Sequence, residues 1–320
     1  MRRLIWYAAT ANSKHPELNH RPPMISQIHL HHGASESFWI SGALIFVLLV
    51  YLRGWLSLRG RDQENFRGWR VASFVFGLLF IWIATASPLA GLDHEMLTAH
   101  MAQHLLLMTL APPLILLGVP QKAIGRPSRS EPMRNVASVI THPAFCWFAA
   151  AATLVLWHIP SVFMLGLRSP MWHGAEQTSF VVTGLLFWSP VVLPFVRPLS
   201  NRLKWPEWSI LLYLFLATLP CDILSGFLVF CDRVVYPVFL SSPRSFGLSA
   251  LEDQQCAGAL MWTCVTIVYL IAGTIFTARL LSPHQSPQRS LQPSDDLAIP
   301  PFASQRVAVR HTDPHRMKAV

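Results

Sequence analysis

His100, His104 and Met108 stand four residues apart in the segment TAHMAQHLLLMTLAPPLILL. On a helix, positions i, i+4 and i+8 share one face. At a rise of about 1.5 Å per residue, His104 lies roughly 6 Å deeper than His100. Two imidazoles on one face can chelate one metal ion, with a third donor from Met108, Met101 or another helix. Imidazole and thioether together suit copper, because both bind Cu(I). The plainer alternative is a pair of histidines hydrogen-bonded between helices. Polar side chains inside a membrane mark functional positions by default, and that favours the metal.

Other side chains belong to the same inquiry. His158 lies in Trp157-His158-Ile159-Pro160, where it is either a ligand or part of an interfacial aromatic belt. His173 has Glu176 and Gln177 close by, and is either a ligand or a solvated loop residue. Asp222, in Pro220-Cys221-Asp222, reads as the one acid deep in an apolar span. It would orient a ligating histidine, or cap backbone freed by Pro220. Asp253, Gln254 and Gln255 precede the last span, as a helix cap or as a polar wall of the site. Pro112 and Pro113 deprive the carbonyls of Met108 and Thr109 of intrahelical partners, which predicts a kink below the His pair. Cys231 and Cys256 flank one loop and are candidates for a disulfide.

The elements that hold these residues are apolar. The chain has 320 residues, of which 52% are hydrophobic and 13% charged. A soluble domain has about 25% charged residues, so this composition argues against a water-soluble enzyme. Seven runs approach the roughly 20 apolar residues that a membrane span needs. They fall at about 36–52, 71–87, 98–117, 144–163, 179–196, 209–230 and 257–278. The expected fold is an all-α, polytopic seven-helix bundle in the lipid bilayer. Residues 1–35 precede it, 36–280 form it, and 281–320 read as a disordered tail rich in Ser, Pro, Gln and Arg.

Net charge is +9, which in another context would point to nucleic acid. Here the basic residues fall between the apolar runs. The loops at 53–70, 118–143 and 197–208 and the tail from Arg279 hold 18 of the 25 Lys and Arg. Positive loops mark the cytoplasmic side. The N-terminus is then expected outside and the C-terminal tail in the cytoplasm, with no nucleic-acid partner. Arg2 and Arg3 oppose this mildly. Ten of the fourteen histidines fall on the outer side or in the outer half of a span, alongside Met96, Met101, Met108, Met164 and Met171.

TAHMAQHLLLMTLAPPLILLGVP at 98–120 resembles the signature of the multi-spanning CtaG family of cytochrome c oxidase assembly factors. Trp157-His158-Ile159-Pro160, FWSPVVLP at 187–194 and LEDQQCAGALMW at 251–262 look like its other blocks, in the same order. The resemblance covers about 30–290. It implies assembly of a haem–copper oxidase in the inner (plasma) membrane, at the copper-insertion step, with oxidase subunits as partners. The positions it carries over are His100, His104, His158, Asp253, Gln254 and Gln255. A second His-x-x-x-His pair of the family is represented here by His173 and Gln177, a departure at the second position.

The expected activity is therefore non-enzymatic: a metallochaperone that holds copper transiently through His100, His104, Met108, His158 and His173. Asp222, Asp253, Gln254 and Gln255 would support those ligands. Two other classes compete. A seven-span zinc hydrolase needs three His, an Asp and an activated water, which His100, His104, His158 and Asp222 imitate. A membrane haem-b protein needs facing histidines, such as His104 and His158. A retinal protein is excluded, because Lys14, Lys122, Lys204 and Lys318 all lie outside the spans.

Overall fold

The computed structural model describes residues 24–59, 68–120, 138–196, 206, 208–242 and 246–282. The expected tail beyond 282, most of the N-terminal segment, and His15, His20, His284, His311 and His315 lie outside them. Every regular element among the described residues is helical.

In chain order these are α1 (Met24–Arg59), α2 (Gly68–Ala86), the single turn α3 (Leu89–Leu92) and α4 (Leu97–Leu105). A π-helical turn (Leu106–Leu110) leads into α5 (Ala111–Gly118). Then come α6 (Pro143–His158), α7 (Pro160–Arg168), α8 (Pro170–Val196), α9 (Trp208–Phe230), a 3-10 turn (Pro237–Leu240) and α10 (Ala250–Leu281). Among the described residues, six helical segments are long and apolar enough to cross a membrane. The α6–α7 pair, bent by 77°, brings the number to seven if it counts as one span. All seven expected runs coincide with helices, and the first, fifth and seventh helices start earlier than hydropathy alone indicates.

Prolines set several of the boundaries. The residue before a proline is pushed out of the helical region. Ile159, before Pro160, is extended with ψ 125°. Ser169, before Pro170, is extended as well. Each proline then occupies a helix start, where its missing N–H costs nothing. The Pro112–Pro113 pair has a π turn immediately before it. There Trp188 Nε1 on α8 donates to the Met108 carbonyl, 3.2 Å away. That replaces one of the bonds Pro112 and Pro113 remove, and the distortion is absorbed by the widened turn.

Small residues let the helices approach closely, as between helices in a bilayer. A Cβ on Gly118 would lie 2.6 Å from Phe74 Cβ and 2.7 Å from the Arg70 carbonyl. A Cβ on Gly258 would lie 2.9 Å from the Ser225 carbonyl. Outward faces are apolar: Phe38, Trp39, Phe148, Phe215, Ile223 and Phe230 are all exposed. Exposed apolar surface on this scale is the kind a membrane covers.

Candidate metal centre

The centre lies at the end of the bundle where α2 connects through α3 to α4. His100 and His104 occupy successive turns of α4 and are 1% and 5% exposed. Their rings are 4.4 Å apart, centroid to centroid. Glu176, on α8, is 1% exposed and faces both. Its Oε1 lies 3.5 Å from His100 Nε2 and 3.3 Å from His104 Nε2. Ligand atoms of the three lie within 4.8 Å of one another. Both Glu176 oxygens and both His100 ring nitrogens are buried without a hydrogen-bond partner among the described residues. Such atoms are normally satisfied. Two imidazoles and a carboxylate left open toward a common point can be satisfied together by a cation.

Neighbouring elements shape the space. Phe163 on α7 packs edge-on to His100 at 4.8 Å, and Phe180 lies 4.2 Å from His104. Gly166, also on α7, faces the carboxylate: a Cβ there would lie 2.9 Å from Glu176 Oε2. His158 ends α6, beside the bend that Pro160 makes. Its Nδ1 is 2.7 Å from the Leu154 carbonyl and its Nε2 is 3.2 Å from Met101 Sδ. Its ring stands 5.7 Å from that of His104. Tyr236 donates its hydroxyl to the His158 carbonyl, 2.9 Å away. Burial, with the Glu176 charge beyond it, pushes the Tyr236 phenol well up, so this donor keeps its proton.

His173 is 13% exposed by side chain and stands 6.0 Å from the His100 ring. Gln177 bonds it, with 2.6 Å between Nε2 atoms. Met108 lies on the π turn, which breaks the simple i+8 alignment with His100. It lines an apolar pocket together with Met101, His104 and Tyr269.

The expected supporting residues divide. Met96, the N-cap of α4, has no side chain able to cap. Asp253, from α10, does that work: it accepts from Leu97 N at 2.7 Å and Thr98 N at 3.1 Å. A carboxylate there satisfies orphan N–H groups and complements the helix dipole. The start of α10 is capped separately, by reciprocal Ser249–Glu252 bonds. Asp253 is thus a cap, but of a different helix from its own. Gln254 braces the segment after α9, accepting from Val235 N and donating to the Leu228 and Arg233 carbonyls. Gln255 is half-buried. Asp222 is half-buried on α9 with Oδ1 unpartnered among the described residues, and it is not part of the His100–His104–Glu176 group. All five cysteines are free, Cys231 and Cys256 included.

Glu176 is the residue that sequence reasoning passed over. Beginning the fifth span at 179 put it in a loop and left Asp222 as the one buried acid. In fact α8 starts at Pro170, which places Glu176 two turns inside a candidate span. The available signal was the spacing His173, Glu176, Gln177, polar residues at i, i+3 and i+4 on one helical face.

Residues 49–291 match the family described as cytochrome c oxidase caa3 assembly factor. Uncharacterized proteins of Mycobacterium bovis and Mycobacterium tuberculosis are each 25% identical over 243 residues, covering 70% of this chain and 36% of the relative. The chain therefore spans about a third of the length of the curated relatives it matches. No solved structure matches. With the family match covering most of the chain, this protein belongs to the cytochrome c oxidase caa3 assembly factor family.

Proposed function

We propose that this protein assists assembly of a haem–copper oxidase in the inner (plasma) membrane by holding copper transiently and passing it to an oxidase subunit. The observation behind this reading is the convergence of buried His100, His104 and Glu176, with the His100 ring nitrogens and both Glu176 oxygens unpartnered among the described residues. These three would hold the ion. His158 and Met101 adjoin them as further nitrogen and sulfur donors, a set that suits copper. Met108 and His173 sit at the margins, on opposite sides. Release to a client favours few ligands and an open coordination position. No general base is required for such a task, and the role is non-catalytic.

The distribution of basic residues among the loops supports a metal end outside the cytoplasm. Copper would then arrive from, and leave toward, the extracytoplasmic side. A second reading has one observation in its favour. Two histidines and a glutamate are also a donor set of catalytic zinc, which leaves a position for activated water. That is the zinc-hydrolase alternative, with Glu176 in place of the expected third histidine.

Metal content and an optical spectrum of the purified protein, beside a His100→Ala/His104→Ala variant, separate the readings. Near-stoichiometric copper that disappears in the variant, with no Soret band, is the expected result. Zinc would shift the assignment to the hydrolase, and a Soret band to haem. Neither metal nor pigment would leave a scaffold acting through protein contacts alone. In cells, the same variant should insert normally yet leave the oxidase short of copper.

A further inference from the structure

A second group of donors lies between the buried centre and solvent. Asp93 follows α3, His94 is its neighbour, and His173 ends the first turn of α8. Their ligand atoms also lie within 4.8 Å of one another. The group is graded in exposure: the side chains of His94, His173 and Asp93 are 56%, 13% and 2% exposed. Asp93 Oδ2 is 3.3 Å from His173 Nε2, and Oδ1 is 3.7 Å from His94 Nε2. Oδ1 is buried with no hydrogen-bond partner among the described residues. Gln177 Nε2 also reaches His173 Nε2, at 2.6 Å, a contact that an ion bound at that nitrogen displaces. Gln103 reaches across from α4 to the Leu89 carbonyl at 3.5 Å, which fixes the turn that presents Asp93 and His94.

The two groups adjoin. His94 and His173 rings are 5.8 Å apart, His173 and His100 rings 6.0 Å, and His100 and His104 rings 4.4 Å. The imidazoles thus form a file from solvent to the buried carboxylate. We propose that Asp93, His94 and His173 form a second metal site, which takes a borderline divalent cation such as Cu(II) from solvent and passes it to the buried trio.

The chemistry follows from the gradient. A buried carboxylate with one oxygen unpartnered among the described residues attracts a cation that the neutral imidazoles then ligate. His94, in contact with water, lets the ion exchange hydration for protein ligands one at a time. Three protein donors leave coordination positions open, so the next imidazole can add before the last is released. The ion keeps its charge throughout, and each ligand it gains replaces one it gives up. The passage rests on the metal reading of the buried trio, whereas the solvent-side site stands on its own residues.

Cu(II) alone is the probe, added to the full-length protein in nanodiscs and read by equilibrium dialysis and electron paramagnetic resonance. The wild type should bind two equivalents. His94→Ala removes an exposed side chain and threatens no packing; it should lose one equivalent. His100→Ala/His104→Ala should lose the other. Two equivalents retained in His94→Ala overturn the proposal. So does a single wild-type equivalent that the His100/His104 variant loses and His94→Ala keeps, or no binding at all. A single equivalent lost only in His94→Ala upholds the new site and removes the buried one. In stopped-flow mixing, the buried equivalent should fill more slowly in His94→Ala; equal rates overturn the passage.

Discussion

A carboxylate buried in an apolar bundle lowers its cost by taking up a proton, by collecting hydrogen bonds or by meeting a cation. Among the described residues Glu176 collects no hydrogen bond on either oxygen, and two imidazoles face it. On the proposed reading its charge is what retains the ion. Glu176→Gln keeps the shape and removes the charge. It should weaken ion binding by about 10-fold to 100-fold or more, since even outer-shell partners of a ligand matter that much. Isothermal titration with Cu(II) measures this, and unchanged affinity would count against Glu176 as a ligand. Gly166→Ala is a subtler variant at the same place. Its new Cβ would crowd Glu176 Oε2, the movable end of a side chain rather than a backbone atom. The fold should survive and the affinity fall, as a titration paired with a thermal melt would show.

At the scale of elements, the histidine-bearing turn of α4 depends on a residue from far along the chain. Asp253 supplies the cap that Met96 cannot. Asp253→Ala leaves buried N–H groups without acceptors and should cost about 1–3 kcal/mol. The loss would appear as a lower midpoint of thermal unfolding in detergent, together with weaker ion binding, because His100 rides on the freed turn. The π turn offers a parallel case. Trp188→Phe preserves most of the packing but strips the Met108 carbonyl of its donor. A cost of about 1–3 kcal/mol is expected for a carbonyl left unpaired in a buried place. A melt indistinguishable from wild type would show that another donor takes over.

For the whole molecule, the consequential property is which end of the bundle faces which compartment. The lysine and arginine distribution predicts that the loop at 53–70 and the tail beyond Arg279 are cytoplasmic. Alkaline phosphatase fused after residue 281 should be inactive, and green fluorescent protein fused there should fluoresce. The opposite pattern would put the metal end in the cytoplasm and remove the proposed copper route. Close helix crossings hold the bundle together. Gly118→Ala directs a Cβ into Phe74 Cβ and the Arg70 carbonyl, neither of which is a free side-chain end. The α2–α5 crossing must separate, so the variant should be markedly less stable in the membrane, as read by steady-state abundance or protease resistance.

Hydropathy runs and proline positions are local properties, and the bilayer demands apolar, internally hydrogen-bonded segments. The all-α class, the apolar runs that became six or seven candidate spans and the pairing of His100 with His104 on one face therefore followed from sequence alone. So did the family, from blocks whose order survives without any knowledge of folding. Tertiary structure decided what those histidines meet. Glu176 lies 72 residues beyond His104 in sequence, and Asp253 lies 156 residues beyond Leu97. Nothing local ties either to its partner, because helix packing brings together residues whose separation along the chain carries no signal. Met108 moved for the complementary reason: its spacing presumed a regular α-helix, and the π turn before Pro112 changed the rotation per residue. Periodicity fixes which residues share a face; only packing decides what each face is turned toward.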